Sequence, residues 1–224
     1  MFDLKNTLKR VIVPISPEGN KIIIASFILA FLICTISSFF GVLFLILSLF
    51  CVYFFRNPDR VLPDDEKAII APADGIVDAI AKVNPPEELD LDPNKNWTRV
   101  SIFLSVFNVH VQRTPVAGTV TKTHYREGKF LNVSNDKYSK DNERQSCVIT
   151  TKDGIDIPVI QIAGLIARRI VCNMSINQEV ERGFVYGIIK FGSRVDIYLP
   201  DDIEPLVKVG QTMIGGESII ARLG

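Results

Sequence analysis

The chain has 224 residues, and its 25 lysines and arginines are balanced by 25 aspartates and glutamates. Zero net charge excludes a nucleic-acid protein driven by bulk charge, and a hydrophobic content of 47% excludes a disordered one. Cys34, Cys51, Cys147 and Cys172 lie far apart with no C-x-x-C pair, which predicts reduced thiols in a cytosol-facing protein and no metal site.

From Ile22 to Phe55 no charged residue occurs, and this run accounts for the mean hydropathy of +0.24. As one straight helix it would extend about 51 Å, well past a hydrocarbon core of about 30 Å. The weakest stretch, Thr35 to Gly41, holds Ser37, Ser38 and Gly41 and predicts a helical hairpin with two apolar arms of roughly 15 residues. Lys5, Lys9, Arg10 and Lys21 precede the run and Arg56 and Arg60 follow it, a pattern that suits a membrane hairpin with both ends cytoplasmic. A cleaved signal peptide fits less well, because the apolar run is too long and no small-residue cleavage site follows it. A buried pair of core helices fits less well still, since neither arm has a polar face.

Beyond this segment, taken as residues 1–55, residues 56–224 have the composition of one soluble domain. Short apolar runs rich in valine and isoleucine predict strands at Ala68–Ile70, Gly75–Ala81, Thr98–Val106, Thr119–Thr123, Cys147–Thr151, Ile155–Gln161 and Arg194–Leu199. Turn signals such as Asp153-Gly154 and Gly215-Gly216 separate them. Ile162–Val171 reads equally as strand or short helix. The expected fold is mainly β, a barrel-sandwich-like domain with minor helices behind the apolar hairpin.

Two stretches, Ala71–Asp78 (APADGIVD) and Val207–Ile220 (VKVGQTMIGGESII), look like related half-motifs of the barrel-sandwich scaffold of biotinyl and lipoyl carriers. Such carriers place a modifiable lysine at a hairpin tip, whereas the suggestive turn here is Phe191–Arg194 (FGSR), without that lysine. By itself a Gly-Ser pair between two strands is ordinarily only a turn.

Its company changes the weight. Tyr53–Arg60 (YFFRNPDR), Ala71–Gly75 (APADG), Phe107–Arg113 (FNVHVQR), Asn142–Arg144 (NER), Gln161–Val171 (QIAGLIARRIV) and Phe191–Asp196 (FGSRVD) follow one another in this order. Together they resemble the phosphatidylserine decarboxylase family, in its short branch, over nearly the whole chain. The longer branch usually carries a further histidine where Phe107 stands, so no role is transferred there. Glu181–Gly187 departs from the family spacing and receives none.

Decarboxylation of an α-amino acid leaves a carbanion and needs an electron sink, commonly pyridoxal phosphate or a pyruvoyl carbonyl. The resemblance implies the pyruvoyl route. The Ser193 hydroxyl attacks the Gly192 carbonyl, the chain is cut between them, and a pyruvoyl group remains on the new N-terminus to form a Schiff base with the substrate amine. The cut chains, 1–192 and 193–224, are expected to stay together as a heterodimer, with higher assembly left open and nucleic acid excluded. His110 is the natural base, since the only other histidine is His124. Asp74 is expected to orient its imidazole and stabilise the imidazolium, with Asp78 as the alternative carboxylate. Without the resemblance, Asp74 reads as a turn residue and His110 as a half-buried strand histidine. Arg168 and Arg169 are candidate contacts for the substrate phosphate or anionic headgroups, against the alternative of a solvated basic pair. Asn142–Arg144 is expected to orient the self-cleaving loop.

The expected function is membrane-associated conversion of phosphatidylserine to phosphatidylethanolamine and carbon dioxide, on the cytoplasmic face of the cell membrane. Other amino-acid-bearing lipids satisfy the same headgroup arguments. The alternative is a membrane-tethered, non-catalytic β domain that binds or carries a ligand.

Overall fold

The computed structural model describes residues 13–92, 95–131, 141–165, 169–190 and 192–224. Lys5, Lys9, Arg10 and Arg168 lie outside the described residues. The chain divides into two compact units, Met1–Asp59 and Arg60–Gly224.

In the first unit a 3-10 turn, Pro17–Gly19, leads into helix α1, Asn20–Ile36, and helix α2 spans Ser38–Phe54. The hairpin breaks at Ser37 alone, which is extended (φ −151°, ψ 118°), so each arm has 17 residues rather than the shorter arms expected. The other hydroxyls do not interrupt the helices because they bond back onto them. Ser26, Thr35 and Ser48 donate to the carbonyls of Ile23, Leu32 and Phe44 at 2.8, 2.7 and 2.9 Å. A Cβ on Gly41 would lie 2.6 Å from the Cα of Cys34, so glycine permits close helix contact near the tip. At the open end Ser16 N–H donates to Phe55 O (2.8 Å) and Asn57 N–H to Pro14 O (2.7 Å). Large apolar side chains stand in the open around the tip, with Phe31 71%, Ile36 86% and Phe39 75% exposed.

The second unit is built from strands β1 (Ala68–Ile70), β2 (Gly75–Val83), β3 (Trp97–Leu104), β4 (Val111–Arg113), β5 (Gly118–Arg126), β6 (Arg144–Thr150) and β7 (Asp156–Ala163). It continues with β8 (Arg169–Cys172), β9 (Glu179–Val180), β10 (Val185–Lys190), β11 (Ser193–Pro200), β12 (Thr212–Met213) and β13 (Ile219–Arg222). Eight strands form one antiparallel sheet in the order β12-β2-β3-β11-β7-β6-β5-β9, curled into a half-barrel. A three-stranded sheet, β4-β10-β8, and a two-stranded one, β1-β13, complete it.

The core lies between these sheets. Val100, Ile102, Cys147, Val159, Val195 and Ile197 of the large sheet share one buried cluster with Tyr186 and Ile189 of β10 and with Ile69 and Ile220. Strand periodicity sorts β11 cleanly. Val195, Ile197 and Leu199 enter that core, while Tyr198 joins a second cluster with Leu89, Trp97, Val148, Ile160 and Ile162 on the other face.

The two carrier-like half-motifs are brought together: Met213 pairs with Gly75, Thr212 with Ile76, and Gly216 N–H donates to Ala71 O at 2.9 Å. Within the ambiguous Ile162–Val171 stretch, Ala163 ends β7 and Arg169 begins β8, two strands of different sheets. The Gly192–Ser193 turn does not join a hairpin. Strand β10 belongs to the three-stranded sheet and β11 to the middle of the large one, so Gly192 sits where the chain crosses between sheets.

Candidate active site

Ser193 opens β11 and pairs with Leu104 of β3 on one side and Ala163 of β7 on the other. Alternation places it on the face that Val195 shares, so a small polar residue is set in an apolar row. It is 0% exposed, and its Oγ has no hydrogen-bond partner among the described residues. A buried hydroxyl left in that state costs roughly 1–3 kcal/mol, which the surrounding ladder must sustain.

Gly192 takes the left-handed conformation (φ +59°), with open space where a side chain would stand. Its carbonyl accepts a hydrogen bond from Gly164 N–H at 3.1 Å. The approach is so close that a Cβ on Gly164 would lie 2.3 Å from the Gly192 oxygen. The peptide that supplies this N–H is itself clamped. Its carbonyl, Ala163 O, accepts from Asn142 Nδ2 at 2.8 Å, and Ala163 N–H donates to Glu143 O at 3.0 Å. Asn142 is fully buried. Its Oδ1 accepts from Leu131 N–H (3.0 Å) and its Nδ2 also donates to Leu131 O (2.8 Å).

His110 is likewise fully buried. A turn closed by Asn108 N–H to Ser105 O (3.0 Å) and by Ser105 N–H to Asn108 Oδ1 (2.9 Å) connects it to Leu104, the ladder partner of Ser193. From the other direction, Ile189 N–H donates to His110 O at 3.4 Å, and Ile189 lies four residues before Ser193. The imidazole Nδ1 lies 3.0 Å from Asn108 O. A carbonyl can only accept, so Nδ1 carries the proton and Nε2 of the neutral ring holds the basic lone pair. Two buried amides brace the backbone here: Gln112 Nε2 donates to His110 O (2.6 Å) and Gln161 Nε2 to Gln112 Oε1 (2.9 Å).

Asp74 precedes β2, at the same end of the sheet as Leu104 and Ser193. Its carboxylate accepts from Arg60 Nη2 at 2.9 and 2.8 Å and from Gly215 N–H at 2.7 Å. The contact that fixes the His110 ring at Nδ1 is the Asn108 carbonyl. Asp78 points to solvent from β2, and His124 is exposed on β5 opposite Ser146. Arg169 is exposed and sits opposite Lys190 in the β8–β10 ladder. Arg144 lies at the start of β6 with its Nη1 3.6 Å from Glu88 Oε1.

Arg194 and Asp196 of the FGSRVD motif face away from Ser193. Arg194 donates through Nε and Nη2 to the two Asp196 carboxylate oxygens at 2.7 and 2.8 Å, both residues being buried. They line a cavity of about 820 Å³ together with Arg99, Arg126, Arg144 and Tyr198. This cavity lies across the sheet from Ser193. The residues that the sequence does not single out are Gly164, Asn108 and the Gln112–Gln161 pair, while Arg60, read there as a flanking charge of the apolar run, is found on Asp74. Gly164 acts through its backbone, and only the two glutamines carry a local signal, as amides at inward positions of apolar strands.

The family model described as phosphatidylserine decarboxylase matches residues 47–221. A phosphatidylserine decarboxylase proenzyme of Ruegeria pomeroyi is 50% identical over 213 residues, covering 94% of this chain and 95% of the relative. Proenzymes of the same name from Rickettsia typhi and from the Wolbachia of Brugia malayi are 51% and 49% identical over 204 and 209 residues. These cover 91% and 93% of this chain and 88% and 91% of the relatives. With a hydrogen-bonded glycine carbonyl beside a buried serine where the FGSRVD motif falls, and with this extent of likeness, the chain belongs to the phosphatidylserine decarboxylase family.

Proposed function

We propose that this chain is a self-cleaving, pyruvoyl-dependent decarboxylase that converts phosphatidylserine to phosphatidylethanolamine and carbon dioxide at a membrane. The observation that carries the reading is the Gly192 carbonyl, held 3.1 Å from Gly164 N–H and followed by the buried Ser193. The buried Oγ and the space around Gly192 suit a group made from Ser193 itself.

In maturation His110 Nε2 takes the Ser193 Oγ proton, and Oγ attacks the Gly192 carbonyl carbon. Negative charge develops on the Gly192 oxygen, where Gly164 N–H already points, so the donor needs no reorganisation. Collapse breaks the Gly192–Ser193 amide, frees the Ser193 amine and leaves Gly192 esterified to Oγ. Loss of the Ser193 α-proton then expels the Gly192 carboxylate. The resulting enamine tautomerises to an imine, and water releases ammonia. Chains of 192 and 32 residues result. Strand β11 keeps the smaller one seated through its ladders to β3 and β7, and β12 and β13 add pairings to β2 and β1.

A pyruvoyl group made from Ser193 supplies the electron sink that amino-acid decarboxylation requires. Around it, His110 manages protons and Asp74, with Arg60 as its counter-ion, provides negative charge toward a protonated imidazole. Arg169, together with Arg168, binds the substrate phosphate. Helices α1 and α2, each about 26 Å long at 17 residues, insert as a hairpin with both ends cytoplasmic and bring the domain to its lipid substrate.

The deciding experiment is the intact mass of the purified protein under denaturing conditions. Two chains are expected, the smaller beginning at position 193 and lighter than a serine-terminated chain by one ammonia. Active protein with a single full-length mass would overturn the reading. Reduction with cyanoborohydride in the presence of phosphatidylserine should leave the lipid amine covalently attached to the smaller chain.

A further inference from the structure

Two sulfurs outside the proposed chemistry meet between the sheets. Cys147 faces inward from β6 of the large sheet, and Cys172 ends β8 of the three-stranded one. Their Sγ atoms are 3.8 Å apart. Cys147 is 1% exposed, while Cys172 is half-buried. Thr123 Oγ1 and Gln145 Nε2 each lie 3.7 Å from the Cys147 sulfur. We propose that Cys147 and Cys172 are an oxidation site, a dithiol that closes to a disulfide across the two sheets when the protein meets a peroxide.

A disulfide needs its sulfurs about 2.05 Å apart, so they must approach by roughly 1.8 Å. The fold puts the required freedom on one side. Strand β6 is fixed between β7 and β5, but β8 is a four-residue edge strand, held in its sheet by β10 alone. Rotation at Cys172 and a small shift of β8 therefore suffice.

The reactivity is divided between the two thiols. The hydrogen bond with Cys172 brings the Cys147 thiol down to about 7 against the effect of burial, with Thr123 and Gln145 helping. The same bond and burial push Cys172 up. Gln145 Nε2 donates toward the Cys147 sulfur and the Thr123 hydroxyl, also 3.7 Å away, can turn to do the same, so Cys147 is the attacking thiolate and Cys172 the resolving thiol. The Cys147 thiolate attacks one peroxide oxygen, breaks the O–O bond and releases hydroxide, leaving a sulfenic acid. The Cys172 sulfur then attacks the Cys147 sulfur and breaks the S–O bond. The departing hydroxide takes the Cys172 proton and leaves as water. The two thiols together lose two electrons and two protons, and the peroxide becomes two waters.

The test uses the full chain in detergent, treated with hydrogen peroxide, alkylated under denaturing conditions and mapped by peptide mass spectrometry. All four cysteines should alkylate before treatment. After it, Cys34 and Cys51 should still alkylate, while peptides with Cys147 and Cys172 should appear joined and two hydrogens lighter than their sum. Dithiothreitol should separate them. In Cys172→Ser, Cys147 should stop at a sulfenic acid captured by dimedone. Overoxidation of Cys147 in the wild type with Cys172 still free to alkylate would overturn the proposal. So would continued alkylation of both, or a bond that joins either to Cys34 or Cys51.

Discussion

Asn142 offers the most searching test of the proposed maturation geometry, because it is bonded to the far side of the peptide whose N–H reaches the Gly192 carbonyl. Replacing it by leucine removes the donor to Ala163 O and strands the Leu131 backbone groups that its amide now satisfies. Buried polar groups left in that state cost about 1–3 kcal/mol. If the cost falls on the transition state, through a loosened 163–164 peptide, cleavage slows by roughly 5- to 150-fold, at 1.36 kcal/mol per decade. Loss of the Gly164 N–H contact altogether would set the upper limit, about 10²- to 10³-fold. The assay is a time course of precursor conversion after synthesis in a cell-free system, followed on denaturing gels.

Asn142→Asp separates positioning from packing. Its carboxyl would be buried, and burial raises a carboxyl pKa because it disfavours the charged form. Above that raised pKa the carboxylate repels Ala163 O. Below it, the protonated oxygen again donates while the other still accepts from Leu131 N–H. The ratio of variant to wild-type cleavage rate should therefore rise as pH falls, and using the ratio cancels the loss of His110 as a base. Mature Asn142→Asp recovered after long incubation should turn over within about two-fold of wild type, since the bond at issue is gone once the chain is cut. A pH-independent deficit, or wild-type cleavage by Asn142→Leu, would refute the reasoning.

Ser193→Ala should remain a single chain and inactive, because the attacking oxygen is gone; any cut between 192 and 193 in that variant, seen by intact mass, would count against serine as the nucleophile. His110→Ala should cleave about 10²- to 10⁴-fold more slowly, the usual worth of a general base, whereas His124→Ala, changed on an exposed strand position, should stay within a few-fold in the same time course. Deleting residues 1–55 should move the protein from the membrane to the soluble fraction while cleavage continues, and activity on vesicles should fall more than activity on detergent-dispersed lipid.

Ser193, Gly192, His110 and Asp74 stand out from the sequence because each is a residue type with its own chemistry inside an ordered motif. Gly164 does not, because what it contributes is a main-chain N–H, and every residue except proline has one. What singles it out is a bond to Gly192 across 28 positions of sequence, formed only when β7 and β11 lie side by side. The strand pattern misleads in a related way. A Gly-Ser pair between two strands reads as an ordinary turn, yet the left-handed Gly192 sends the chain from one sheet into another. That crossover has a chemical consequence. In a hairpin the carbonyl before the serine would be engaged within its own ladder, whereas here it leaves the three-stranded sheet and meets a donor from β7's end, while β11 buries the hydroxyl beside it. The self-cleavage proposed at this bond would thus depend on a topology that local pattern cannot encode, and the Asn142 variants probe that topology more directly than any change at Ser193.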